Sequence, residues 1–333
     1  MSRKISRSFI NGRTGAGTAG QGLKVEWDST NDGELHWKDV SESSLEFALV
    51  WYGGRGVFGG GDGSTDTLDY ITIASPGDAT DFGNLSVGRA GTSACSDGSR
   101  GVWGSGAAGG NSNVIDYITI ATTSNATDFG DITVARYALA ACSDATKGVF
   151  GGGKLPGDNW QNIIDYITIA TTGNALDFGD LTVARDGISA CSDGTKGVWG
   201  GGYSSGYVNT IDYITISTTG NALDFGDLTQ VRGYFAATSD TTRGLFGGGS
   251  TTIDTIDYIT IATTGNATDF GNLSQGRQGT SACSDGTYGV FGGGMSGSYV
   301  NTIDYVTIQT TGNATDFGNL TVARRHIAAA SGD

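Results

Sequence analysis

Gly148-Val149-Phe150-Gly151-Gly152, Ile164-Asp165-Tyr166-Ile167-Thr168-Ile169 and Asn174-Ala175-Leu176-Asp177-Phe178-Gly179-Asp180-Leu181 follow one another, and then come Arg185, Ile188 to Cys191 and the turn Ser192-Asp193-Gly194. The same order of signals recurs about every 47 residues from Arg55 onward, six times in all. Each copy opens on a Gly-rich apolar run: Gly56-Val57-Phe58, Gly101-Val102-Trp103, Gly148-Val149-Phe150, Gly197-Val198-Trp199, Gly244-Leu245-Phe246 and Gly289-Val290-Phe291. Four strand signals and no helix signal in a period of the forties spell one four-stranded unit, which must stack on its neighbours to bury its faces. The expected fold is all-β, a six-bladed β-propeller with a short N-terminal extension.

The four strands, a to d in chain order, are expected at Ile188–Cys191, Lys196–Gly201, Thr210–Ser217 and Ala222–Leu228. Strand c is apolar on both faces: Ile115, Tyr117 and Thr119 point one way, Ile118 and Ile120 the other. A half-exposed strand alternates apolar with polar, so this sheet lies between two others. The Gly pairs that end strand b belong where a side chain would strike a neighbouring backbone. Seven stretches read as strand a against six each of b, c and d, so one chain end completes the first blade. Ile327–Ala330 is the expected closing strand, with Phe47–Val50 beside it.

Gly is frequent at 58 of 333 residues but periodic, which argues against disorder, and the two prolines leave strand pairing unobstructed. Net charge is −15, which weighs against a nucleic-acid backbone or an anionic membrane surface as partner. Cys95, Cys142, Cys191 and Cys283 occupy equivalent places in different copies, with no Cys-x-x-Cys pair. Equivalent positions in neighbouring blades stand beyond disulfide reach, so these are expected to be buried free thiols. No apolar run reaches the roughly 18 residues of a membrane span, and Met1–Asn11 lacks the apolar centre of a signal peptide. The chain is expected to be made in a cytoplasm and to stay soluble.

Residues 1–45 lie outside the period and form the expected first domain, an anchoring arm and β-hairpin; residues 46–333 form the propeller. Gly12 to Gly22 reads as flexible. Leu23 to Trp27 and Glu34 to Trp37 alternate around a Ser-Thr-Asn-Asp-Gly turn, the pattern of a hairpin. Trp27 and Trp37 would share a face that needs burial. With Arg3, Lys4, Arg7 and Phe9 they are the expected contacts to a partner.

Arg at the end of strand d, a Gly pair after b, Tyr in c and an aromatic in d recur together from Arg55 to the C-terminus, and this set resembles the kelch repeat. Kelch blades carry Trp in d where this chain has Phe82, Phe129, Phe178, Phe225, Phe270 and Phe317. The near-identical wording Ile-Asp-Tyr-Ile-Thr-Ile-Ala-Thr-Thr-Gly-Asn-Ala-Thr-Asp-Phe-Gly is similar to repeats in structural proteins of tailed phages. That resemblance implies a virion protein, present in several copies per particle and held to other virion proteins through residues 1–45.

Asp-Phe-Gly appears six times without a kinase lysine or catalytic loop, and reads as a strand-to-turn element. The Gly runs lack the Gly-Lys-Ser/Thr and helix of a phosphate loop. Arg89, Arg136, Arg185, Arg232, Arg277 and Arg324, with Asp69, Asp116, Asp165, Asp212, Asp257 and Asp304, form sixfold sets. They read as blade-locking ion pairs, the alternative being a charged ring around an axial ion. Two histidines, His36 and His326, offer neither a metal cluster nor a Ser–His–Asp set, and no carboxylate pair stands out from the repetition. No cofactor, no metal site and no enzymatic activity is expected.

Function should sit where repetition breaks. The b–c and d–a connections emerge on one face and are where the copies differ. They supply Trp160, Tyr203, Tyr207 and Tyr299 on b–c loops, and Tyr137, Tyr234 and His326 beside strand a. Aromatics among Asn, Ser and Gly suit stacking on sugar rings or contact with a protein; ordinary loop drift scatters aromatics too. The expected function is a non-enzymatic virion component (tail fibre, tail tip or decoration) that displays this face to a host-surface glycan or protein. A free lectin, a kelch-type enzyme and a purely architectural spacer are the alternatives.

Overall fold

The structure, a computed structural model, describes residues 52–250 and 252–333. Six four-stranded antiparallel sheets account for the repeats. From inner to outer strand, the fourth sheet runs Ser189–Ser192, Lys196–Gly200, Thr210–Thr215 and Leu223–Asp227, within a residue or two of the expected bounds. The first sheet is composite. Its inner strand is the C-terminal Ala328–Gly332, paired antiparallel with Arg55–Gly59. Closure by the C-terminal segment is therefore as expected; Phe47–Val50, the proposed hairpin, and Arg3, Lys4, Arg7, Phe9, Trp27 and Trp37 lie outside the described residues.

Each interface between neighbouring blades holds one apolar cluster, six in all. Strand c feeds two of them at once: Ile115 enters the cluster shared with the third blade, Ile118 and Ile120 that shared with the first. The Gly that ends each strand b is a socket for the strand-b aromatic of the next blade. An added Cβ would lie 2.7 Å from the Phe150 ring at Gly104, 2.8 Å from Trp199 Nε1 at Gly151 and 2.7 Å from the Phe58 ring at Gly292. The socket pattern runs through all six interfaces, the closing one included. Phe in strand d stands edge-on to Tyr in strand c, as in Tyr166–Phe178 with centroids 6.0 Å apart.

The repeated Arg and Asp pair across blades, not within them. Arg89 at the end of the first blade reaches Asp116 in the second at 2.9 Å, and so on round to Arg324, which reaches Asp69 in the first blade at 2.8 Å. All six pairs are buried. The axial-ion alternative is thereby overturned, because each carboxylate is committed to an Arg and to a Ser or Thr hydroxyl of the preceding blade, for example Thr182 Oγ1 at 2.6 Å from Asp212 Oδ1.

Two hydrogen-bonded belts surround the axial channel of about 150 Å³. At one end Ser hydroxyls donate to the carbonyl of the Ser one blade back: Ser143 to Ser96, Ser192 to Ser143, Ser239 to Ser192 and Ser284 to Ser239, all at 2.6–2.7 Å. At the other end a closed circle of six backbone bonds joins Gly91, Ala138, Gly187, Tyr234, Gly279 and His326, each N–H donating to the previous carbonyl at 2.6–2.8 Å. All six residues have φ between 56° and 67°. Gly fits that left-handed region without cost, whereas a bulky residue rarely adopts it. Tyr234 and His326 adopt it nonetheless.

Cys95, Cys142, Cys191 and Cys283 are free and buried, each Sγ against the first Gly of the next blade's strand b, as Cys95 against Gly148. Burial pushes all four thiols well above their ordinary range, and the thiolate is the reactive form. A disulfide-forming reagent at pH 8 is expected to label none of the four in the native protein and all four in guanidinium. Rapid native labelling of any of them would contradict the packing.

Candidate functional site

The b–c and d–a connections share one face, and their backbones are tied together in every blade. The residue after each repeated Arg bonds to the next blade's b–c loop: Ala90 with Ala107, Tyr137 with Lys154, Asp186 with Tyr203, Gln278 with Met295, while Asp62 N donates to Arg325 O. A sixfold backbone frame thus presents side chains that are not sixfold. Three of the expected loops are more regular than a loop. Ser105–Asn113 continues strands b and c as a hairpin to Ala107 and Asn111. Lys154–Leu155 pairs with Asn159–Trp160, and Met295–Ser296 with Ser298–Tyr299. Gly109, Gly157 and Gly297, all at positive φ, make the tight returns.

The seven expected ligand residues form one connected patch around the axial mouth. Trp160 and Tyr203 rings are 5.8 Å apart, Tyr203 and Tyr207 5.2 Å, and Tyr234 and His326 5.6 Å. The Tyr207 ring lies against Gly233, the Tyr234 ring against Gly187, and the Tyr137 ring against Gly91. Tyr299 joins through Asp62, which it reaches with its hydroxyl at 2.9 Å. Tyr299 is 46% and Tyr207 36% exposed, so these two rings present most area to a partner.

Two carboxylates organise the patch, and sequence reasoning did not single out either. Asp186 is fully buried and accepts the Tyr234 hydroxyl at 2.9 Å. Burial pushes its carboxyl up, against the opposing pull of Tyr234, Lys154 and Trp160. Burial and the neighbouring Asp186 charge push the Tyr234 phenol far above its ordinary range, so it stays a donor. Asp62 binds His326 Nδ1 at 2.8 Å with one oxygen, and Arg325 Nε at 2.7 Å with the other. The signal that would have found both is positional: Asp186 is the one carboxylate among the residues that follow the repeated Arg, and Asp62 the one carboxylate among the equivalent b–c positions Asp62, Ala107, Lys154, Tyr203, Ser250 and Met295.

Burial alone would raise the Asp62 carboxyl, but the bonds from His326 and Arg325, the charge of His326 and the Tyr299 hydroxyl together hold it well below the usual range. A carboxyl depressed in the folded state contributes stability that is complete above its unfolded value of about 3.9 and is lost as pH falls toward the folded value. Asp62→Asn is therefore expected to lower the melting temperature at pH 7, with the gap to the parent constant down to about pH 4 and narrowing progressively below it. Parallel melting curves from pH 7 to 3 would show that the Asp62 cluster does not hold the seam between the sixth and first blades.

Among the described residues no group of three or more His, Cys, Asp or Glu is placed to hold a metal ion. No protein-family model matches the chain, and no curated protein matches it. The chemistry of the patch is hydrogen bonding and stacking. Its charges are paired or buried, as in Lys154–Asp158 at 3.1 Å and Arg325–Asp62 at 2.7 Å.

The opposite face carries Tyr52, the first described residue, and the C-terminal Asp333. The Tyr52 ring lies against Gly286 in an a–b turn, and Asp333 bonds Gly54 N through its side chain and Gly98 O through its own N–H.

Proposed function

We propose that this propeller is a non-enzymatic recognition module of the kelch-like type, a structural component of a tailed-phage particle. It would be held to other virion proteins through residues 1–45 and present the loop face to a host-surface glycan or protein. One observation carries the recognition reading: departures from sixfold repetition in side chain, with the backbone frame kept, converge on a single aromatic patch. The Tyr234 and His326 backbones support it, since strain at non-Gly residues concentrates at working surfaces. The described chain begins at Tyr52 and ends at Asp333 on the face away from the patch. The particle itself rests on the wording of the repeats. Several copies per particle would let weak single sites suffice, because linked sites gain roughly 10²–10⁴ in avidity.

Replacing Trp160, Tyr203 and Tyr299 together by Ala separates recognition from architecture. Lost host-cell or glycan binding with assembly intact supports recognition; assembly lost, with the isolated variant still folded, supports a spacer. Electron microscopy of the native assembly would test the particle directly, and a chain lacking residues 1–45 that still incorporates would remove the anchoring role.

A further inference from the structure

The residue that leads into strand c is Asn in four blades, as Asn113, Asn162, Asn209 and Asn301, and Asp in two, as Asp66 and Asp254. In all six its backbone carbonyl accepts a hydrogen bond at 2.7–2.8 Å from the residue just after strand d, as Asp66 O does from Leu85 and Asn301 O from Leu320. Asn meets that structural task, so the two carboxylates are surplus to the fold. Both are exposed, and among the described residues neither side chain makes a hydrogen bond or an ion pair. They stand on the first and fifth blades, and the sixth blade between them raises the exposed Tyr299 on the ribbon Met295–Tyr299. We infer that this sector of the loop face docks a basic protein segment, whose Lys or Arg side chains meet Asp66 and Asp254 and lie on the Tyr299 ring.

The inference rests on the recognition reading above and narrows the partner to a protein with surface cations. Tyr299 already serves as a cation platform: the Arg325 guanidinium lies 5.6 Å from its ring centre, and Asp62 holds both Arg325 and the Tyr299 hydroxyl. Trp160 carries Lys154 Nζ at 5.7 Å in the same way, with Asp158 as counter-charge. A cation on a ring beside a carboxylate is thus a unit that this face builds twice from its own side chains. Besides the buried repeated arginines, Lys154 and Arg325 are the only Lys or Arg on the described b–c and d–a connections. Each is matched by its own carboxylate, so Asp66 and Asp254 set the sign of the charge left over. They repel an anionic glycan, and a neutral sugar offers an exposed carboxylate nothing that water does not. A small lone cation meets one of the two, because a whole blade separates them. A segment bearing several cations meets both and crosses Tyr299 between them, where the planar guanidinium of Arg stacks best.

The test titrates the ¹⁵N-labelled full chain, at about 0.1 M salt, with a blocked peptide that alternates arginine with glycine, and with its glutamate counterpart. The amide resonances of Asp66, Asp254 and Tyr299 are expected to move saturably with the arginine peptide and to stay in place with the other. The double variant Asp66→Asn, Asp254→Asn installs the residue used by the other four blades, so it should melt with the parent while its affinity falls about fivefold. A second double variant, Asp128→Asn, Asp224→Asn, removes the same charge from exposed outer strands of the second and fourth blades. Its affinity should stay within about twofold of the parent. Equal losses in the two variants, or shifts spread round the whole ring, would mean that the peptide reads net charge alone and would overturn the docking sector. Host-cell binding separates the two readings. If the Trp160, Tyr203 and Tyr299 triple variant loses it while Asp66→Asn, Asp254→Asn binds like the parent, recognition stands and its partner is not basic. If the triple variant also binds like the parent, the recognition reading falls and the docking sector with it.

Discussion

A chain ending at Ile327 is expected to lose its monomeric fold. Without Ala328–Gly332, the strand Arg55–Gly59 has a bare edge along its five ladder positions. The loss extends through both neighbours. Ala328 and Ala330 leave the cluster shared by the first and second blades, Trp103 Nε1 loses its acceptor at Ala328 O, and Ser96 Oγ loses Ser331 O. Asp333 no longer caps Gly54 N or holds Gly98 O. Opening one seam also releases the constraint that holds the other five in register, because every blade is clamped from both sides. The expected penalty is comparable to the whole stability of a domain, about 5–15 kcal/mol. An unpaired apolar edge strand invites pairing with another chain, so light scattering after gel filtration should find dimers and larger species in place of a monomer. A peptide of residues 328–333 supplied in trans should restore part of the monomer. A truncated chain that stays monomeric and melts at the parent temperature would mean the ring does not depend on its closing strand.

That closure was legible in the sequence because it is arithmetic: seven candidate inner strands for six blades leave one end to complete the first. The same repetition made the Arg and Asp sets visible, since a charge recurring with Gly-rich and apolar neighbours announces a buried role. It could not say whose Asp each Arg takes. A pairing within a repeat and a pairing with the next repeat have the same periodicity, and only the coordinates separate them. The patch was half legible. Aromatics stand out on loops of small residues, so Trp160, Tyr203, Tyr207 and Tyr299 were readable as candidates. Asp62 and His326 lie 264 residues apart and meet only because the circle closes, and Asp186 looks like one more surface carboxylate among many until Tyr234 and Trp160 fold over it. The circle of left-handed residues left no composition signal either, because Gly, Ala, Tyr and His all occupy it.

Arg232→Met is expected to destabilise the protein by about 3–5 kcal/mol, the range for removing one partner of a buried ion pair. The pair is short at 2.7 Å and fully buried, and Thr229 Oγ1 holds the other Asp257 oxygen at 2.7 Å. Without the guanidinium, Asp257 keeps only the Thr229 hydroxyl and backbone N–H for its charge. Burial pushes the Arg232 guanidinium down and the Asp257 charge opposes it. Replacing a buried pair by apolar residues is sometimes neutral or better, and the second half of the prediction concerns whether that holds here. It should not. Arg232 also donates to Phe246 O at 3.0 Å, Thr255 O at 2.8 Å and Gly248 O at 3.3 Å, all on the next blade. In the Arg232→Met, Asp257→Leu double variant the charge problem is gone, but Phe246 O, Thr255 O, Gly248 O and the Thr229 hydroxyl each lose the hydrogen bond they made to the pair, about 0.5–1.5 kcal/mol apiece, with Thr255 O keeping the Gly248 N–H. The double variant should therefore recover part of the single-variant loss and still melt well below the parent, with a positive coupling energy in guanidinium titrations. A double variant as stable as the parent would reduce the six Arg–Asp pairs to charge neutralisation. The intermediate outcome makes each Arg a bridge that fastens one blade's backbone to the next, with Asp the counter-charge that lets it be buried there.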